Sequence, residues 1–120
     1  MKRLKTGSNW RVGWNETASP FKGLVGGDDW ACELTAAEFE DFFRLFMELH
    51  STMESMASEL MDEEAIAIEK ETDLLWMQTN GFPSSYELSF ILLTGRRAEG
   101  RWDKDASQAL FQAIQTIQLF

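Results

Sequence analysis

Sliding the chain along itself by 68 residues, without gaps, brings Gly27 onto Gly95, Leu34 onto Trp102 and Thr35 onto Asp103. In the same frame Phe42, Phe43, Phe46 and Leu49 fall on Leu110, Phe111, Ile114 and Ile117. A turn, a strand, a helix cap and an apolar-striped helix therefore occur twice in the same order. Such self-similarity constrains a fold strongly, because each copy must bury an equivalent face. Two units are expected, about 1–62 and 63–120, each made of antiparallel strands followed by one helix. With 120 residues in all, two separate domains would each have a marginal core. The units are expected to share a single domain of the α+β class, with meandering strands and helices packed on the sheets.

In the first unit Trp10, Val12 and Trp14 alternate with Arg11 and Gly13, the period of a half-buried strand. Phe21 to Gly26 is a short strand, closed by the turn signal Gly26-Gly27-Asp28-Asp29. Trp30, Cys32 and Leu34 mark the inward face of another. Thr35 then caps a helix, and Glu38 three places on completes a capping box. Phe39, Phe42, Phe43, Phe46, Leu49, Met53, Met56 and Leu60 follow at spacings of three and four, with charged residues opposite. No Gly or Pro interrupts residues 36–61. As one helix this segment spans ~39 Å at 1.5 Å per residue, while a domain of this size has a radius of gyration of roughly 13–14 Å. The stripe is also broad, since Leu45 and Met47 flank it. The helix is expected to overhang its own domain and to be covered partly by a second copy of the chain, as a homodimer.

In the second unit Ile66 and Ile68 share one face of a strand from Ala65 to Glu71. Leu74, Leu75, Trp76 and Met77 make the segment from Asp73 to Asn80 apolar on both faces, as a central strand is. Asn80-Gly81-Phe82-Pro83-Ser84 is a turn, Tyr86 to Leu93 a strand, Thr94-Gly95-Arg96-Arg97 a tight turn, and Ala98 to Trp102 a last strand. Asp103 caps the second helix.

Charge limits the partners. The chain holds 20 acidic and 11 basic residues, net −9. That excludes coating duplex DNA or an anionic membrane by bulk charge. The charge is uneven: residues 28–73 hold 15 acidic and 2 basic side chains, net −13, and the remainder 5 acidic and 9 basic, net +4. No wholly apolar run is longer than four residues, as in Phe90-Ile91-Leu92-Leu93, too short to span a bilayer. The basic Met1-Lys2-Arg3-Leu4-Lys5 is followed by no apolar core, so no secretory signal is expected. One cysteine cannot form an internal disulfide, and a reducing, cytoplasmic setting is expected.

The chain resembles the small cyanobacterial family called domain of unknown function 1818. The resemblance is carried by Trp10-Arg11-Val12-Gly13-Trp14, Gly23-Leu24-Val25-Gly26-Gly27-Asp28-Asp29-Trp30-Ala31, Glu33-Leu34-Thr35, Glu59-Leu60-Met61-Asp62-Glu63-Glu64-Ala65-Ile66-Ala67 and Phe90-Ile91-Leu92-Leu93-Thr94-Gly95-Arg96-Arg97. It implies a Whirly-like fold, a duplicated four-strand-plus-helix unit grouped with single-stranded-DNA-binding transcriptional regulators. The first unit then needs a further strand, which has to come from Arg3 to Thr6. The family carries no catalytic residues to transfer, and a shared fold does not confer a shared function.

Candidate chemistry is sparse. Cys32 and His50 are the only thiol and imidazole. A nucleophilic pair needs both within hydrogen-bond reach, yet Cys32 has the inward position of a strand, where a packed thiol is the commoner outcome. Asp62-Glu63-Glu64 offers carboxylates, but successive residues point in different directions and the loop pattern of a calcium site is absent. No metal or cofactor is expected. Met47, Met53, Met56 and Met61 suit a core or dimer face better than an adaptable binding surface. The five tryptophans all fall in strand segments. Trp10, Arg11 and Trp14, and then Arg96, Arg97, Arg101 and Trp102 with Lys104, could stack on bases and hold phosphates. Against that, tryptophans commonly fill a sheet–helix core. The chain is expected to be a non-catalytic interaction or regulatory module that binds a protein partner. The alternative is single-stranded nucleic-acid binding through those Trp/Arg clusters.

Overall fold

Each unit lays down four antiparallel strands in chain order and then a helix. The structure is a computed structural model and describes residues 2–57 and 64–117. The first unit is β1 (Lys2–Gly7), β2 (Trp10–Asn15), β3 (Gly23–Gly26), β4 (Ala31–Leu34) and α1 (Ala36–Met56). The second is β5 (Ile66–Glu71), β6 (Leu75–Phe82), β7 (Ser85–Leu92), β8 (Glu99–Trp102) and α2 (Lys104–Ile117). The sheets have the orders β1-β2-β3-β4 and β5-β6-β7-β8. The expected α+β class, with its duplicated strands-plus-helix unit, stands. So does the strand expected from Arg3 to Thr6, which pairs along β2 from Lys2↔Asn15 to Gly7↔Trp10.

The 68-residue frame holds for the last strand and the start of the helix of each unit: Ala31–Leu34 maps onto Glu99–Trp102, and the cap Thr35 onto Asp103. The earlier strands drift out of it. Residues 16–22 loop between β2 and β3, whereas Pro83 and Ser84 alone join β6 to β7. That tight hairpin corrects the turn read at Asn80–Ser84. Strand β6 stays paired through Phe82↔Ser85. Gly81 makes this possible at φ 148°, where a Cβ would come within 2.8 Å of the Ser85 carbonyl oxygen and of the Tyr86 Cα.

Helix α1 begins where the capping box places it. The Thr35 side chain accepts from the Glu38 amide at 3.2 Å, and Glu38 Oε1 accepts from the Thr35 amide at 2.9 Å. Its 21 residues span about 32 Å. The molecule measures 46 × 29 × 27 Å, with a radius of gyration of 14.0 Å, so the described helix does not outgrow it. Phe39, Phe42, Phe46, Leu49 and Met53 are fully buried inside the single chain. Phe43 and Met56 are half-buried, and Leu60 and Met61 lie outside the described residues. The stripe is covered because α1 packs chiefly on β6 and β5 of the other unit, while α2 is shared between β2 and β7. Most of the described part of the stripe is thus covered within one chain.

The units also join through aromatics. The Trp30 ring lies 5.2 Å from Trp102 and 6.3 Å from Phe90, centroid to centroid. The Trp102 indole N–H donates to the Gly26 carbonyl at 2.9 Å, across the repeat. Gly100 has no Cβ where the Trp30 ring passes, so the ring can approach the β8 backbone.

Candidate functional site

The structure takes the two Trp/Arg clusters apart. Trp102 is fully buried and Trp14 is 5% exposed. Trp14 packs on Phe39 at 5.4 Å. Neither ring can stack on a base. Trp10 is half-buried against the position of Gly7, its direct partner across the strand pair. Trp30 immediately precedes β4 rather than lying within a strand.

The arginines divide in the same way. Arg11 donates through Nε to the Gly27 carbonyl at 2.8 Å and through Nη2 to the Trp30 carbonyl at 2.7 Å, which fastens the β3–β4 turn. Arg96 pairs with buried Glu38, donates to the Glu33 carbonyl at 2.6 Å and lies 4.7 Å from the centre of the Phe21 ring. Glu38 also accepts from the Thr94 hydroxyl at 2.9 Å. The capping glutamate of the first unit is thus the anchor for the β7–β8 turn of the second. Arg97 is exposed in a left-handed backbone at φ 57°. Arg101 is 72% exposed and meets Glu87 at 3.3 Å. Lys104 is exposed on the first turn of α2.

Cys32 and His50 do not form a pair. Cys32 is buried in β4, and burial pushes its thiol pKa up, with Arg96, Glu38 and Glu33 as its charged neighbours. His50 faces Tyr86 and Phe111 instead. Asp62 and Glu63 lie outside the described residues, and Glu64 is exposed.

What the sequence reading missed is the outer face of the second sheet. Strand β6 is central, but only one of its faces is covered: Leu75, Met77 and Thr79 are buried, while Trp76 and Gln78 are half-buried and Asn80 exposed. Register places Glu71, Trp76, Ile91 and Glu99 in one cross-strand row. The next row is Glu69, Gln78, Ser89 and Arg101, and a third holds Ala67, Asn80 and Glu87. A shallow groove of about 340 Å³ crosses these rows. Glu69 accepts from the Trp76 indole N–H at 2.7 Å, which holds the ring in place. Four exposed carboxylates therefore surround a Trp76–Ile91 centre. The single guanidinium in these rows, that of Arg101, is already paired. The sheet's inward-facing cation, Lys70, is spent on Glu48 of α1 at 3.1 Å, which holds the Glu48 carboxyl below its usual range. The alternation of Glu69 and Glu71 with Ile66, Ile68 and Lys70 was the available signal; the adjoining apolar run at Leu74–Met77 concealed it.

No curated protein matches the chain. A solved structure from Prochlorococcus sp. NATL2A, described as a protein with unknown function from the DUF155 family, is similar over 97% of both chains, with a TM-score of 0.87 and 28% identity. No helix among the described residues is long and apolar enough to cross a membrane. The family model described as Domain of unknown function (DUF1818) matches residues 5–117, nearly the whole two-unit arrangement, and the chain belongs to that family.

Proposed function

We propose that this domain is a non-catalytic interaction module that docks a basic segment of a protein partner on the outer face of its second sheet. The observation that carries the reading is the set of carboxylates Glu69, Glu71, Glu87 and Glu99 around half-buried Trp76 and Ile91. An apolar centre with a rim of one charge sign attracts a complementary chain, favours its encounter and rejects acidic competitors. The separation of Cys32 from His50 leaves the thiol and imidazole without a shared task, which supports the non-catalytic part. The burial of Trp14 and Trp102 and the engagement of Arg11 and Arg96 weigh against the nucleic-acid alternative at the Trp/Arg clusters.

A tryptophan fluorescence titration with a lysine-rich peptide tests this. At low salt the response is expected to saturate and to weaken as salt rises. Replacing Glu69, Glu71, Glu87 and Glu99 together by Gln is expected to weaken binding about tenfold or more, roughly 1.4 kcal/mol. An acidic peptide of equal length is expected to leave the signal unchanged. Equal binding by the four-glutamine variant overturns the assignment of the face. A saturable response to oligothymidylate with none to the peptide overturns the reading and favours the single-strand alternative.

A further inference from the structure

A second, larger cavity lies away from that face, between α1, α2 and the β6–β7 hairpin, with a volume of about 530 Å³. That is within the usual range for small-molecule sites. Its walls bring together the chain's one histidine and one tyrosine. His50 Nδ1 and the Tyr86 hydroxyl are 2.7 Å apart, and the imidazole stacks on Phe111 with centroids 3.7 Å apart and planes at 21°. Stacking and hydrogen bond together fix the ring on two sides. Burial, and next the Glu54 charge, push the Tyr86 hydroxyl well above its usual range, so it stays a phenol. In the tautomer whose Nδ1 accepts from this phenol, the ring N–H is carried on Nε2. Nε2 lies 3.5 Å from Glu54 Oε2.

The cavity also holds opposite charges on different walls. Glu54, on α1, is 69% exposed. Lys104, on α2, lines the same space and makes no ion pair among the described residues. Phe82, itself partly exposed, and the Phe111 ring supply apolar wall. An ammonium, a carboxylate and an aromatic lining in one cleft are complementary to a molecule with the reverse charges and an apolar body.

We infer that this cleft binds a small zwitterion of the amino-acid type. Its carboxylate is received by Lys104 and the His50 Nε2–H, its ammonium by Glu54, and its side chain by Phe82 and Phe111. The site is independent of the sheet face, and either assignment can fail without the other.

The single histidine makes the test direct, because the protein gives one imidazole signal set in NMR. Titration with L-phenylalanine as probe is expected to shift the His50 signals saturably. 3-Phenylpropanoate lacks the ammonium and 2-phenylethylamine lacks the carboxylate; each is expected to bind about tenfold more weakly or worse. Lys104→Ala and Glu54→Gln, both at exposed positions, are expected to weaken phenylalanine binding similarly while the backbone spectrum stays folded. An unmoved His50 signal at tens of millimolar phenylalanine overturns the site. Equal shifts with either half-ligand, or undiminished binding in both variants, overturn the zwitterion assignment.

Discussion

Glu38 shows how one residue can serve two levels of structure. Locally it is the third residue of a capping box, readable from Thr35-Ala36-Ala37-Glu38. In the folded chain the same carboxylate, now buried, also takes the Arg96 guanidinium and the Thr94 hydroxyl from the other unit. The first role follows from spacing; the second depends on a contact 58 residues away in sequence, and spacing carries no information about that. Replacing Glu38 by Ala removes both and leaves Arg96 short of its partner. Stability is expected to fall by about 2–4 kcal/mol, because a broken, largely buried ion pair costs more than a surface one. Arg96→Ala is expected to cost less, and the double variant less than the sum of the two. Urea unfolding of the three variants measures this; strict additivity would show that the two side chains act separately. The tryptophans teach the converse. The strand period puts Trp14 on the face of Val12, and the repeat puts Trp102 at the position of Leu34, but whether such a face meets a core or an open groove depends on what packs over it.

At the scale of elements, α1 is the most legible segment. Its cap, its start and its apolar stripe are visible in the sequence. Its burial partner is not, because the stripe states only that a cover is needed. The cover is β5 and β6, with one polar tie between Glu48 and Lys70. Hydrogen bonding from Lys70 lowers the Glu48 pKa, so the folded state binds the proton less readily than the unfolded chain. The sign follows: this contribution is complete above the ordinary glutamate value of about 4.3 and is lost as pH falls through the lowered folded value. Both side chains are substantially exposed, so the tie is worth only about 0.2–1 kcal/mol. Lys70→Met is expected to destabilise the protein by that amount at neutral pH and by nothing measurable at about pH 2.5. A difference that persisted in acid would assign the effect to the methionine rather than to the ion pair. Strand β6 marks the limit of reading apolar runs: Trp76 and Met77 are neighbours in sequence but lie on opposite faces, one half-buried and one fully buried.

For the whole molecule, the joint between the units decides how it unfolds. Trp30 sits against Trp102 and Phe90, Trp102 bonds to Gly26, and α1 lies on the other unit's sheet. Neither half buries its own helix fully, so one cooperative transition in urea is expected for the chain. Gly100→Ala places a methyl group where the Trp30 ring lies and is expected to cost about 1–3 kcal/mol through overpacking, with an unchanged urea slope. Two separate transitions, or loss of only one half's signal in the variant, would show the halves to be independent.

Local and periodic properties were therefore settled by the sequence alone. These are the strand and helix periods, the capping box, the two-unit repeat, the α+β class and the uneven charge. Each arises from residues close in the chain or from a regular pattern, and the physics that fixes them acts over a few residues. Tertiary structure alone decided which faces are covered. It turned Trp14 and Trp102 into core and two candidate arginines into clamps. It left the outer face of the second sheet open and brought Glu54, His50, Tyr86 and Lys104 around one cavity. Burial and juxtaposition arise from contacts between distant segments, and a linear pattern records only that a face must be covered.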